Sequence, residues 1–179
     1  MDDFNLIVLL LPIIFMIHDF EEILFFKWWI RKYEGYLIKH YPRLSSKMLP
    51  HVKGLSTPAF SLAVCEEFVL ISIAAFTAVY MEYYYIWLML FMAFSIHLVV
   101  HIIQWIIIRK YIPCIITSIL FLPYSIFSLK MMSQLSLFTY TEFILCAFIG
   151  IVFMIVNLIA IHKVAGIFDK WIQTKNTSL

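Results

Sequence analysis

The chain has 179 residues, of which 64% are hydrophobic and 13% are charged, with a formal net charge of +2. Soluble domains are about 45–50% apolar and about 25% charged, so a soluble domain of this length could not bury so much apolar surface. The same composition excludes a disordered chain, a coiled coil and a nucleic-acid-binding protein. We therefore predict an all-α membrane protein that has the lipid bilayer as a partner and no nucleic-acid partner.

Five apolar runs are each long enough to span a bilayer, which takes about 20 residues of α-helix. They predict a bundle of about five transmembrane helices in a single domain, residues 1–179. The predicted spans, in chain order, are residues 4–26, 57–80, 84–108, 111–131 and 143–163. The connection between the first two spans, residues 27–55, is the longest and the most basic.

Lysines and arginines alternate in number from one connection to the next. The 27–55 connection carries seven, the second none, the third two and the fourth one, and three follow the fifth span. Basic residues accumulate on the cytoplasmic side of membrane proteins. The pattern therefore predicts a multi-pass protein of the cell membrane, the inner membrane in a bacterium, with its N-terminus outside and its C-terminus in the cytoplasm.

Aromatic and basic side chains are interleaved directly after the first predicted span. They are Lys27, Trp28, Trp29, Arg31, Lys32 and Tyr33. Tryptophan and tyrosine are typical of the membrane interface, and basic residues there attract anionic headgroups. We predict that this cytoplasmic margin binds anionic lipid.

The residues after the fifth span follow a helical period with one apolar face. That face comprises Val164, Ile167, Phe168, Trp171 and Ile172. Charged residues occupy the rest of the helix, as is typical of a helix that lies in the plane of the membrane interface. We predict a short C-terminal interfacial helix.

Polar side chains inside the spans are the most informative residues of the chain. A charged side chain at the centre of a bilayer costs about 2.5–3.5 kcal/mol on insertion scales, so such residues must face inward and satisfy one another. They are His18, Asp19, Glu21, Glu22, Glu66, Glu67, His97, His101, Gln104 and Asn157. Counted from the predicted ends of their spans, they lie at similar depth in the cytoplasmic half of the bilayer.

Helical spacing in the first span places three of these side chains on one face. Glu21 and Glu22 follow His18 at i+3 and i+4, so all three project in the same direction. Asp19 is predicted to point away from that face. The face formed by His18, Glu21 and Glu22 is therefore the centre of the predicted site.

The second and third spans each add a candidate pair to this site. His97 and His101 are four residues apart and share a face. Glu66 and Glu67 are adjacent, so only one of them can point fully inward. We favour Glu67, because it shares its face with small residues that let helices approach closely.

Imidazoles and carboxylates without a thiolate pair form a ligand set that suits zinc, iron or manganese. We therefore predict a divalent metal cofactor. The predicted metal ligands are His18, Glu21, Glu22, Glu66, Glu67, His97 and His101. The predicted catalytic carboxylates are Glu22 and Glu21, with Glu22 as the candidate general base acting on water.

The stretch from His18 to Glu22 reads His-Asp-Phe-Glu-Glu. It resembles the signature of the HXXEE family of small bacterial multi-span membrane proteins, and the length and span number of the chain are similar to that family as well. The resemblance implies that His18, Glu21 and Glu22 form a site, but it implies no reaction. We assign the residues of the second and third spans to the same site because of their predicted depth in the bilayer and the direction in which they face.

Three functions are compatible with such a site. A metal-dependent hydrolase acting on a membrane-associated peptide or lipid comes first, because the site offers only imidazoles and carboxylates, and too few histidines for a typical di-metal oxidase. A proton or ion relay, or a transporter component, would use the same groups. The chain lacks the two related halves typical of transporters, although a homodimer would supply a second half. The third is a non-catalytic polar lock between helices.

Overall fold

The computed structural model describes residues 3–176 and folds them into α-helices joined by short connections. The helices are α1 (Asp3–His40), α2 (Pro42–Gly54), α3 (Thr57–Met81), α4 (Tyr85–Ile108), α5 (Ile115–Gln134) and α6 (Tyr140–Asn176). No strand occurs in this part of the chain, so the all-α prediction is confirmed. The first two and last three residues of the predicted domain lie outside the described part.

Four of the described helices, α3 to α6, are long and apolar enough to cross a membrane. This supports a membrane protein and agrees with four of the predicted spans. The remaining predicted span, residues 4–26, lies in α1, which is not among these four helices. The count of five spans and their orientation therefore stay predictions.

The basic connection is helical over most of its length. α1 does not end near residue 26 but continues to His40, and α2 occupies most of the remainder. No proline interrupts the chain between Pro12 and Pro42, and Leu37 of α1 packs in one apolar cluster with Leu49 of α2. Residues 27–55 thus form a helical hairpin.

The predicted C-terminal interfacial helix is not a separate element. α6 continues from Tyr140 to Asn176 as one helix of 37 residues, so the fifth predicted span and the tail are joined. The prediction of a break was wrong because no proline separates the two parts, and a single glycine does not end a helix. Val164, Ile167 and Trp171 of the predicted apolar face are exposed, as contact with lipid would require.

α1 packs against α2, α3 and α5 and, less extensively, against α4. Pro12 lies inside it and has no N–H to donate to the Val8 carbonyl one turn earlier. The indole N–H of Trp87 on α4 donates to that carbonyl instead, at 3.2 Å. Similarly, the Tyr124 hydroxyl of α5 donates to the Ile7 carbonyl at 2.9 Å. Neighbouring helices therefore satisfy the backbone of α1 around the proline.

The two tryptophans after the first predicted span have different surroundings. Trp28 is 42% exposed, and the Lys32 ammonium lies 4.5 Å from the centre of its ring, which is compatible with the predicted interface. Trp29 is only 5% exposed and donates its indole N–H to the Tyr111 carbonyl. Trp29 is thus a core residue rather than an interfacial one, because the α4–α5 connection covers it. Anionic-lipid binding by this margin stays a prediction.

α6 packs closely on α4 at Gly150. A Cβ atom at this position would lie 2.2 Å from the carbonyl oxygen of Met89, so only glycine fits there. Along most of its other faces α6 is exposed. α6 is therefore an outer wall of the bundle, packed on α4 and α3, and it approaches the α4 backbone closely at Gly150.

Candidate metal centre

His18 is fully buried on α1, and its Nδ1 lies 3.0 Å from Oγ1 of Thr117 on α5. The single hydroxyl proton of Thr117 goes to Glu21 Oε2 at 2.7 Å, a shorter bond than the 3.4 Å to the Cys114 carbonyl. Thr117 Oγ1 therefore accepts a hydrogen bond from the Nδ1–H of His18. In the neutral ring the lone pair is then on Nε2, which has no hydrogen-bond partner among the described residues. A metal ion requires such a lone pair.

Glu21 is engaged by the first turn of α5. Its Oε2 accepts from the Thr117 N–H at 2.9 Å, and its Oε1 accepts from the Ile116 N–H at 3.4 Å and the Tyr111 hydroxyl at 2.8 Å. The first N–H groups of a helix have no partner within it, and the N-cap residue Cys114 makes no side-chain cap. The Glu21 carboxylate therefore caps α5 from another helix and complements the positive end of its dipole.

Tyr111, the first residue of the fourth predicted span, lies in the α4–α5 connection, because α5 begins only at Ile115, and it strengthens this arrangement. Burial and the hydrogen bond to the Glu21 carboxylate raise the pKa of the Tyr111 phenol. Tyr111 therefore keeps its proton across the neutral range and remains a donor. Since α5 and Tyr111 engage both oxygens of Glu21, we interpret this predicted ligand as a residue that positions the others.

His97 and His101 lie one turn apart on α4 beside His18. Their Nε2 atoms are 3.0 Å apart, and the centres of their rings lie 5.4 and 5.3 Å from that of His18. Two imidazole nitrogens bound at 2.0–2.1 Å to one tetrahedral ion are about 3.3 Å apart. His101 Nδ1 is buried and has no hydrogen-bond partner in the described part of the chain. The spacing of the three rings is thus compatible with one shared ion.

Six side chains from α1, α4 and the residue before α5 fall into groups that approach closely enough to share an ion, and we call them the six-residue cluster. They form four groups of three, and one ligand atom of each member of a group lies within 4.8 Å of the others. The groups are His18, His101, Cys114; His18, Asp19, His97; Glu22, His97, His101; and Asp19, Glu22, Cys114. Any two groups share one residue. The six side chains therefore surround a common volume rather than forming a row.

Two members of the cluster were not expected from the sequence. Asp19 was predicted to point away from the site, but it is 5% exposed and groups with His18 and His97, so that prediction was wrong. The reason is that α1 is packed on several sides, so opposite faces of it are both buried. Cys114 lies with its Sγ 3.8 Å from Glu22 Oε2. A single cysteine 92 residues away along the chain has no spacing signal that would reveal this.

The two glutamates of α3 have separate positions. Glu67 lies on the wall of a cavity that Glu22 and His97 also line, as its predicted facing requires. Glu66 instead accepts a hydrogen bond from the Asn157 amide of α6 at 3.0 Å. Neither belongs to a group close enough to share an ion with the histidines. Their predicted role as ligands stays untested, and only Glu67 faces the same space as the cluster.

A cavity of about 290 Å³ lies beside the cluster, between α1, α3, α4 and α6. Asp19, Glu22 and His97 belong both to the cluster and to the cavity wall. Most of the remaining wall is apolar, with Phe15 and Phe26 at its two ends along α1. Ligand pockets typically combine an apolar lining with a few convergent polar groups. The arrangement would allow an ion in the cluster to act on a molecule in the cavity.

Comparison with known proteins gives a match to one family, described as a protein of unknown function with HXXEE motif, over residues 9–128. This range runs from α1 into α5 and contains the whole six-residue cluster. No curated protein and no solved structure shows significant similarity to the chain. Because the family match covers more than half of the 179 residues and includes the motif from His18 to Glu22, the chain belongs to the HXXEE family.

Proposed function

We propose that this protein is a metal-dependent membrane hydrolase that acts on a membrane-associated peptide or lipid. One observation carries the proposal: the Thr117 hydroxyl, which gives its proton to Glu21, fixes His18 with its unpartnered Nε2 lone pair inside the cluster. A buried imidazole held in one tautomer by a hydrogen bond to its other nitrogen is the usual state of a metal-binding histidine. A purely structural histidine would have used Nε2 for a hydrogen bond.

We assign one divalent ion, zinc, iron or manganese, to His18, His97 and His101, any two of which belong together to one of the close groups. Glu22, which groups with His97 and His101, is kept as the base beside the ion. Asp19 and Cys114 lie close enough to complete or adjust the ligand set. Glu21 is excluded from it, because its oxygens accept hydrogen bonds from α5 and Tyr111. Three imidazoles are donors that such ions take.

The chemistry follows from the position of Glu22 between the cluster and the cavity. A divalent ion in the cluster would supply Lewis acidity toward a carbonyl oxygen. Glu22 would accept a proton from the attacking water as the new carbon–oxygen bond forms. It would then return that proton to the leaving oxygen or nitrogen as the ester or amide bond breaks.

The decisive experiment is metal analysis of protein purified in detergent without chelator. We expect about one equivalent of zinc, iron or manganese in the wild type, and loss of most of it in His18→Ala and His101→Ala. His40→Ala is the matched control. His40 is exposed and stacks on Tyr36 at the end of α1, 18 residues beyond Glu22. Wild-type protein that contains no such metal and takes none up would overturn the proposal.

A proton or ion relay predicts a different result with the same protein. Proton or cation flux into liposomes that Glu22→Gln abolishes, without bound metal, would favour the relay. If the site is only a structural lock between helices, we expect neither bound metal nor flux. We then expect the histidine variants to lose their fold.

The proposal includes the membrane topology of five spans with the N-terminus outside and the C-terminus in the cytoplasm. Reporter fusions after Lys53, after Glu82 and at the C-terminus should report inside, outside and inside. An outside signal from the fusion after Lys53 would contradict this topology.

A further inference from the structure

The cavity beside the cluster has a polar layer across its middle and apolar walls on both sides. The polar layer, which we call the polar belt, consists of Asp19, Glu22, Glu67, His97 and Asn157, contributed by α1, α3, α4 and α6. α1, α3 and α6 also line the cavity before and after their belt residues, and α4 lines it before His97. The cavity is therefore apolar, then polar, then apolar along its length.

The two apolar arms are built from different parts of the same helices. One arm includes Phe15, Ile71, Leu90, Ala93 and Met154. The other includes Phe26, Phe60, Ala63 and Leu158, together with one polar residue, His162. An occupant that fills this space would have a polar group in its middle and hydrocarbon on each side of it.

The cavity is long and narrow. Phe15 and Phe26, eleven residues apart on α1, both line it, which corresponds to a length of about 16 Å at 1.5 Å per residue. An α-helix with side chains is about 10 Å across. The four helices around the cavity pack against one another, α1 on α3, α3 on α6, α6 on α4 and α4 on α1, so another whole helix does not fit between them. An extended peptide would leave its amide groups unpaired against the apolar arms.

The position of the polar belt narrows the class of ligand further. A free fatty acid or a lipid phosphate carries its charge at the end of its hydrocarbon chain, which does not match a polar layer between two apolar arms. An ester or amide linkage is uncharged, and its carbonyl oxygen is an acceptor that His97, the Asn157 amide or an ion in the cluster could engage. We therefore propose that the cavity binds a single-chain lipid whose ester or amide group lies at the polar belt. This proposal rests on the proposed function, since it names the substrate class of the same site.

A photoreactive palmitoyl ester, with a diazirine in its chain, tests the assignment on detergent-purified protein. We expect the label on residues of both apolar arms, identified by peptide mapping, and we expect an excess of the unlabelled ester to remove it. Label confined to exposed α6 residues such as Phe148 and Ile155 would overturn the proposal, because detergent and bulk lipid contact those residues. Cavity labelling by a photoreactive single-span peptide, but not by the ester, would also overturn it.

Two cavity-filling variants provide an independent measurement. Ala63→Leu and Ala93→Leu add the same volume to opposite arms, and both alanines are buried on the cavity wall. Each should lose most of the labelling, whereas Ala160→Leu, which adds that volume on the exposed side of α6, should keep it. Full labelling of both filled variants would contradict the proposal.

The metal variants separate this proposal from the proposed function. His18→Ala and chelator-treated wild type should lose metal but retain labelling, because the apolar arms remain intact. If the cavity is labelled but the protein never binds metal, the lipid site is supported and the proposed hydrolase is contradicted. If the protein binds stoichiometric metal but the cavity is not labelled, the metal site is supported and the lipid site is contradicted.

Discussion

Glu21 of α1 and Thr117 of α5 are joined by two hydrogen bonds, from the Thr117 N–H at 2.9 Å and from its hydroxyl at 2.7 Å to the same carboxylate oxygen. The same hydroxyl accepts from His18. The two glutamates of the HXXEE motif therefore have different surroundings: Glu21 holds α5 in place and orients His18, while Glu22 faces the cavity. The motif therefore combines one glutamate that caps α5 with a second glutamate that faces the cavity.

Glu21→Ala should destabilise the protein by about 1–3 kcal/mol, because it leaves buried donors of α5 and Tyr111 unpaired. Glu21→Gln keeps one acceptor and should cost less. Glu22→Gln should leave thermal unfolding in detergent nearly unchanged while it removes activity. Equal loss of stability in the Glu21→Ala and Glu22→Gln variants would contradict this division of roles.

Thr117→Val removes the hydroxyl that orients His18 but retains the shape of the side chain. Metal affinity should fall by about 10–100-fold, the usual effect of losing the partner of a ligating histidine. Thr117→Ser restores the hydroxyl and should restore most of the affinity. Titration of the metal-free protein with zinc measures all three forms, and an unchanged affinity in Thr117→Val would refute the orienting role.

Cys114→Ser should weaken zinc binding more than manganese binding, because a thiolate favours zinc and a hydroxyl does not. Cys146→Ser is the matched control, since Cys146 is also buried but lies outside the cluster. Competition between the two metals for each variant gives the comparison. Unaltered selectivity would place Cys114 outside the ligand set.

Gly150→Ala should destabilise the packing of α6 on α4 by about 1–3 kcal/mol, because the new Cβ would overlap the Met89 carbonyl. Gly166→Ala is the control on the same helix. A Cβ there meets nothing within 4 Å, and alanine is a better helix former than glycine. Thermal unfolding should therefore rank Gly166→Ala at or above the wild type, and similar losses in both variants would exclude the steric explanation.

The convergence of histidines and carboxylates from distant spans could be predicted from the sequence, because charge in an apolar run must face inward. Helical spacing paired His97 with His101, which are neighbours in the structure, and favoured Glu67, which lies on the cavity wall, over Glu66. The role of these residues as ligands stays a prediction. The spacing failed at Asp19, because it assumes one buried face for each helix. α1 has neighbours on several sides, and the number of helices that surround it is determined only when the bundle assembles.

The role of Glu21 as a cap could not be predicted from the sequence, for a similar reason. A cap usually comes from the residue just before a helix, but the cap of α5 comes from α1, 96 residues away from Thr117. The continuity of α6 was missed because an apolar face at a helical period describes an interfacial helix and the end of a longer helix equally well. Such a pattern does not locate helix ends.

The interruption of α1 at Pro12 has a consequence for biosynthesis. The Val8 carbonyl, which Pro12 leaves without its helical partner, receives the Trp87 indole from a segment made 79 residues later. The carboxylates of α1 likewise have their neighbouring polar groups on α4, on α5 and on the connection between them, all of which are translated later. α1 is translated before the segments that supply these partners, so its stable insertion depends on helices that leave the ribosome after it.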